Sequence, residues 1–165
     1  MTTRILDLTE SALAALCVAA FAAMFALGVA TVVFRFLLDS SLAFPDEMIR
    51  YLFVWMVFLG SAVTLRRGAH AAIGVFVKLM PAPLRRGALL IAAATSAGFF
   101  AVLVGYGAEL TVRVAPQISP ALEVSMAWAY AAVPTGAAFM LIYMIEIIRG
   151  LIVAPEAEPD ANDWE

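Results

Sequence analysis

Apolar residues run through this chain in long stretches, and charged residues gather at their ends. The first stretch, Ser11 to Phe34, is uncharged over about 24 residues, where about 20 suffice to cross the hydrocarbon core of a bilayer. Arg35 and Asp39 follow it. The second, Met48 to Leu65, has a short strictly uncharged part, so it starts beside a charged pair or tilts little. The third, Gly87 to Ala108, ends at Glu109, and the fourth, Val124 to Ile145, ends at Glu146. These runs are too continuous for the alternation of a barrel strand, and an open sheet in lipid leaves backbone groups unsatisfied. The pattern predicts an all-α integral membrane protein with four transmembrane helices.

The links carry their own signals. Ala71 to Met80 is mostly apolar with Lys78 its single charge. It is too short to span, which predicts a short interfacial helix between spans two and three, or a prolonged second helix. Pro81-Ala82-Pro83 then breaks the chain and restarts it into span three. Ala115 to Pro120 reads as a loop through its prolines. Residues 1–154 form a single four-helix membrane domain, and 155–165, rich in acids and without a base, is expected to be a disordered cytoplasmic tail.

Charge orients the spans. Arg66, Arg67, Lys78, Arg85 and Arg86 all fall in the link between spans two and three. Cytoplasmic loops carry the excess of basic residues, so this link and both termini are expected in the cytoplasm. Arg35 and Arg113 fall on the outer side against the rule, each with an acid four residues away, Asp39 and Glu109. The N-terminal stretch is longer than the ~7–15 residues of a signal-peptide core, and is expected to be a retained helix.

Composition narrows the function. An apolar content of 64% with 14% charge excludes a soluble globular domain. A net charge of −3 without a polybasic surface gives no reason to expect a nucleic-acid partner. The one histidine, His70, cannot supply two axial haem ligands, and Cys17 alone cannot complete a zinc set, so no cofactor or metal is expected. There is no phosphate-binding loop and no catalytic triad, which argues against an enzyme. The interiors of the expected spans hold no acid or base, as a self-sufficient ion-coupled carrier usually would.

Within this chain the stretch Glu47 to His70 is the most patterned. Glu47 and Arg50 stand three apart, a neighbouring spacing on a helix. Pro45 suits a first helical turn, and Asp46 and Glu47 complement the helix dipole. Trp55 lies inside the span, where its indole N–H calls for a helix–helix contact. Gly60 offers a small surface, Arg67 and Gly68 mark the end of the span, and His70 lies beyond it. Glu47 and Arg50 read more readily as an interfacial salt bridge that orients the span, or as a pairing with a partner subunit, than as an ion pathway, because they lie at an end. Small residues stepping by four, Ala15-Ala19-Ala23, Ala22-Ala26-Ala30 and Ala132-Gly136, allow close helix approach. Pro134 inside span four is expected to free a carbonyl and kink the helix.

This segment resembles the small membrane subunit of TRAP (tripartite ATP-independent periplasmic) transporters, of the Q type. The resemblance lies in an acid-x-x-Arg start at Glu47 and Arg50, Trp55 in the span, Phe58-Leu59-Gly60, and the close Arg66-Arg67-Gly68-Ala69-His70. It implies an accessory scaffold subunit of a sodium-coupled secondary transporter for carboxylate solutes in a bacterial inner membrane. Its partners would be a large TRAP membrane subunit that moves the solute, a periplasmic solute-binding protein that delivers it, and membrane lipid. The family's substrate and sodium sites belong to the large subunit, so Glu47, Arg50, Trp55, Gly60, Arg67, Gly68 and His70 are candidate subunit-interface or structural residues. Two other classes remain open: a self-contained four-helix exporter, and a membrane anchor of a redox complex.

Overall fold

Helices account for nearly all of residues 2–38, 44–68 and 82–153, the parts of the chain that the computed structural model describes. They are α1 (Thr2–Leu37), α2 (Phe44–Arg66), α3 (Ala82–Val114), the single turn α4 (Ala127–Tyr130) and α5 (Ala132–Val153). Four segments are long and apolar enough to cross a membrane: Leu6–Leu37, Phe44–Arg66, Leu84–Val114 and Ala127–Val153, the last comprising α4 and α5. The protein is an all-α membrane protein of four spans. His70, Lys78, the segment Ala71 to Met80, Asp39 and the acidic tail lie outside the described residues.

The spans form a row. α1 packs on α2, α2 on α5, and α5 on α3, while α4 touches α2, α3 and α5. The order α1–α2–α5–α3 makes a single layer with α1 and α3 at its edges. The core lies along the inner helices. Leu13 of α1, Leu59, Ala62, Val63 and Leu65 of α2, and Ala137, Met140, Tyr143 and Met144 of α5 are buried together, with Ala93 and Phe100 of α3. Elsewhere large apolar side chains point outward, among them Phe21, Phe25, Phe99 and Val102, as expected where lipid or another subunit is the solvent.

Close approach is confined to a few positions. A Cβ on Gly136 would lie 2.6 Å from Cβ of Phe58 and 2.9 Å from its carbonyl oxygen, so α2 and α5 meet there backbone to backbone. Gly107 of α3 meets Pro134 of α5, with 3.2 Å to Cδ. The alanine rows of α1 behave otherwise. Ala15, Ala19, Ala22 and Ala26 are exposed, and the face of α1 that joins the core carries Leu6, Leu13, Ala14 and Cys17. The α1–α2 contact therefore uses Leu13, Ala14 and Cys17, with Gly60 opposite Cys17, rather than those alanine rows.

Several boundaries differ from the hydropathy reading. α1 starts at Thr2, well before Ser11, because Leu6 packs on the core while Asp7 and Glu10 reach across to α2. Span four starts after Val124, because Ser125 bridges back to Ile118. Pro134 sits just after the break between α4 and α5. It has no N–H to give the carbonyl of Tyr130, four residues earlier, while Thr135 N and Oγ1 both bond the Ala131 carbonyl at 3.2 and 2.7 Å. Hydroxyls within the spans are satisfied the same way. Thr31, Ser61, Thr64, Thr95 and Thr111 each donate to the carbonyl four residues back, which removes an unpaired donor from apolar surroundings.

Candidate functional site

Two polar clusters, one at each end of the row, gather most of the side chains capable of chemistry. The first is built on the opening turns of α2. Glu47, Tyr51 and Trp55 are spaced by four and share one helix face. Glu47 is buried at 8% exposure. Its carboxylate accepts hydrogen bonds from Tyr51 Oη at 2.5 Å and from the backbone N–H groups of Ala121 and Leu122 at 2.9 and 3.1 Å. Those amides belong to the link between α3 and α4, which folds back on itself. Ser119 N bonds Val124 O at 2.9 Å and Met126 N bonds Gln117 O at 2.9 Å. The turn holds Glu123 at φ +54°. Ser119 is buried, its Oγ accepting from Leu122 N at 3.2 Å, and Pro45 is fully buried beneath. Trp55 Nε1 donates to the carbonyl of Trp128 at 2.9 Å. The proline-marked loop is thus an ordered cap seated on α2.

The Glu47–Arg50 salt bridge is not formed. Glu47 turns into the cap, where its carboxylate accepts from three donors. Arg50 remains exposed, with Nε 3.4 Å from the Asp46 carbonyl and no ion pair among the described residues. Arg113, by contrast, pairs with Glu109 at 2.6 Å.

The second cluster centres on Arg66, the last residue of α2. Its guanidinium meets Asp7 and Glu10 of α1, each at 2.6 Å, and Glu146 of α5 at 3.5 Å. It also lies over the Tyr143 ring, 5.5 Å from the centroid. The Tyr143 hydroxyl shares a 3.2 Å hydrogen bond with Thr9 of α1. Arg67, more exposed, adds a 2.7 Å contact to Glu10. Gly68 then takes φ +70° and its N–H bonds the Leu65 carbonyl at 3.2 Å, closing α2 in a left-handed turn. Gly60 lies on the α1 side of α2, beside Cys17. Charged groups therefore enter the packed helix ends, although the apolar stretches alone show span interiors free of them.

Of the sequence-derived candidates, Glu47 and Trp55 fall in the first cluster and Arg67 in the second. Arg50 stands apart from both, Gly60 and Gly68 serve backbone geometry, and His70 is outside the described residues. Sequence reasoning missed Asp7, Glu10, Tyr143, Glu146 and the central place of Arg66. A usable signal was the i, i+3 pair of acids before the first apolar stretch, which shares one helix face. Among the described residues no group of His, Cys, Asp and Glu is placed to hold a metal ion.

The family model described as "Tripartite ATP-independent periplasmic transporters, DctQ component" matches residues 24–153. The chain belongs to this family. The match takes in the whole first cluster and Arg66, Tyr143 and Glu146, while Asp7 and Glu10 precede it. Known small permeases are similar along much of the chain. The C4-dicarboxylate TRAP transporter small permease protein DctQ of Rhodobacter capsulatus is 31% identical over 112 residues, 67% of this chain and 49% of that protein. The sialic acid TRAP transporter small permease protein SiaQ of Vibrio cholerae is 30% identical over 121 residues, 72% of this chain and 68% of its own length. A putative TRAP transporter small permease protein of Haemophilus influenzae is 28% identical over 142 residues, 85% of this chain and 86% of its own. The chain spans about half the length of the R. capsulatus relative. The family is that of a transporter membrane subunit rather than of an enzyme.

Proposed function

We propose that this small permease is the scaffold subunit of a sodium-coupled TRAP transporter for carboxylate solutes in a bacterial inner membrane, packed against the large membrane subunit. The observation that carries the reading is the single-layer arrangement of the spans. A row of helices has no central space for a solute, and its contact positions are filled by Leu59, Ala62, Val63, Met140 and Tyr143. What it offers instead is two broad faces. On α2, an inner helix of the row, Arg50, Phe53, Val57, Ser61 and Thr64 follow one exposed stripe. This stripe meets the large subunit, with Arg50 free to pair with an acid there. Supporting the solute class, the relatives are named for C4-dicarboxylate and for sialic acid, both carboxylates. Sodium coupling is what the family resemblance implies.

The same contacts support an orientation. Arg66 joins the start of α1 to the ends of α2 and α5, and the basic link leaves from that end. By the excess of basic residues on cytoplasmic loops, this end and both termini are cytoplasmic. The cap of 115–126 then faces the periplasm, where exposed Ile118 and Trp128 offer a surface for a solute-binding protein.

Purification of the tagged chain in mild detergent, with the large subunit co-expressed, tests the reading. A stoichiometric large partner is expected. Val57→Trp is expected to reduce its recovery while leaving the small subunit's own melting temperature unchanged. Recovery of this chain alone from membranes in which the transporter is active would overturn the scaffold assignment.

A further inference from the structure

The inner end of the row carries two groups of arginines, and the fold treats them differently. Arg66 and Arg67 are engaged by Asp7, Glu10 and Glu146. On the other side, Arg85 and Arg86 open α3 and Arg149 lies near the end of α5. None of these three makes an ion pair among the described residues. α3 and α5 are packed neighbours. Arg86 Nη2 lies 3.4 Å from the carbonyl of Ile152, one helical turn beyond Arg149, so the three cations stand on two adjoining helices at one membrane boundary. Glycine follows two of them, and a Cβ on Gly87 or Gly150 would meet nothing within 4 Å. The surface beside the guanidinium groups is therefore low and open. Towards the middle of the span, one helical turn from Arg149, Ile145 of α5 is exposed.

We propose that this patch binds an anionic phospholipid. The phosphate is held by Arg85, Arg86 and Arg149, and an acyl chain lies along Ile145, one helical turn from Arg149. Guanidinium groups match phosphate oxygens in charge and in paired N–H geometry. Basic pockets between spans at the cytoplasmic face suit anionic headgroups for this reason. A net negative headgroup is required, because the amine of a zwitterionic lipid offsets its phosphate. The competing occupant is the chain's own acidic segment after α5, 155–165. It offers carboxylates, but little apolar surface to cover Ile145, so the lipid is favoured. The inference rests on the reading that this end of the helices lies at a membrane surface.

Native mass spectrometry of the purified subunit, with its large partner where the two co-purify, tests it after reconstitution in equal amounts of phosphatidylglycerol and phosphatidylcholine. The wild-type protein is expected to retain phosphatidylglycerol several-fold over phosphatidylcholine. The triple variant Arg85→Gln, Arg86→Gln, Arg149→Gln is expected to lose that preference while keeping its melting temperature. Arg35→Gln, at the opposite end of the helices, is expected to keep it. Undiminished preference in the triple variant would overturn the proposal. So would a preference that emerges only on deletion of 154–165, which would assign the patch to the tail. The same spectra report the large subunit, so lipid loss with the complex intact is distinct from failure of the scaffold reading.

Discussion

Glu47 and the amide of Leu122 are joined by a 3.1 Å hydrogen bond across 75 positions of sequence. With the Ala121 amide at 2.9 Å, that bond makes one carboxylate the anchor of a whole link. A buried acceptor serving backbone donors is costly to remove, because the donors are left without partners.

Glu47→Ala is accordingly expected to loosen the cap. Limited proteolysis should cut between 115 and 126 in the variant at concentrations that spare the wild type. Glu47→Gln keeps an oxygen acceptor without the charge and is expected to fall between the two. Equal protection in all three would show that the cap is held by other contacts.

The two arginines at the end of α2 are expected to differ. Arg66 is 13% exposed and meets three acids, so Arg66→Ala leaves Asp7 and Glu146 without their cation and Glu10 with Arg67 alone. The expected loss is about 2 kcal/mol, between the exposed and buried ion-pair ranges. Arg67 is 60% exposed, and Arg67→Ala is expected to cost less than about 1 kcal/mol. Melting temperatures in detergent would order the variants, and a larger effect at Arg67 would contradict the geometry.

At the α2–α5 contact, Gly136→Ala places a methyl group against Phe58 Cβ and carbonyl oxygen. Overpacking of this kind costs about 1–3 kcal/mol. The atoms in the way are ones that alanine also has, so Phe58→Ala is not expected to rescue Gly136→Ala. Gly28→Ala and Gly105→Ala, where the added methyl meets nothing within 4 Å, are expected to leave the melting temperature unchanged or slightly raised.

Trp55→Phe removes the hydrogen bond to the Trp128 carbonyl and keeps most of the ring. The expected loss is about 1 kcal/mol, read as a lower melting temperature. Recovery of the large subunit should be unaffected, because the indole N–H is used within the chain. A selective loss of that recovery without a stability change would move Trp55 to the subunit interface.

What the sequence by itself determined is the set of spans. Runs of about 20 apolar residues bounded by charge admit helices alone in lipid, and each of the four stretches lies largely within a described helix. Hydropathy registers a residue's cost in lipid but not the neighbour that offsets it. Asp7 and Glu10 therefore read as the polar flank of a span, and the tertiary structure makes them partners of Arg66. Glu47 and Arg50 are neighbours by spacing, yet Glu47 turns to amides 74 and 75 residues away, because a carboxylate at a packed helix end is better served by several donors than by one exposed cation. The alanine rows of α1 suggest packing that Leu13 and Cys17 provide instead. Only the assembled layer decides which side of each helix is covered, since a helix that is apolar all round carries no local mark of its neighbour.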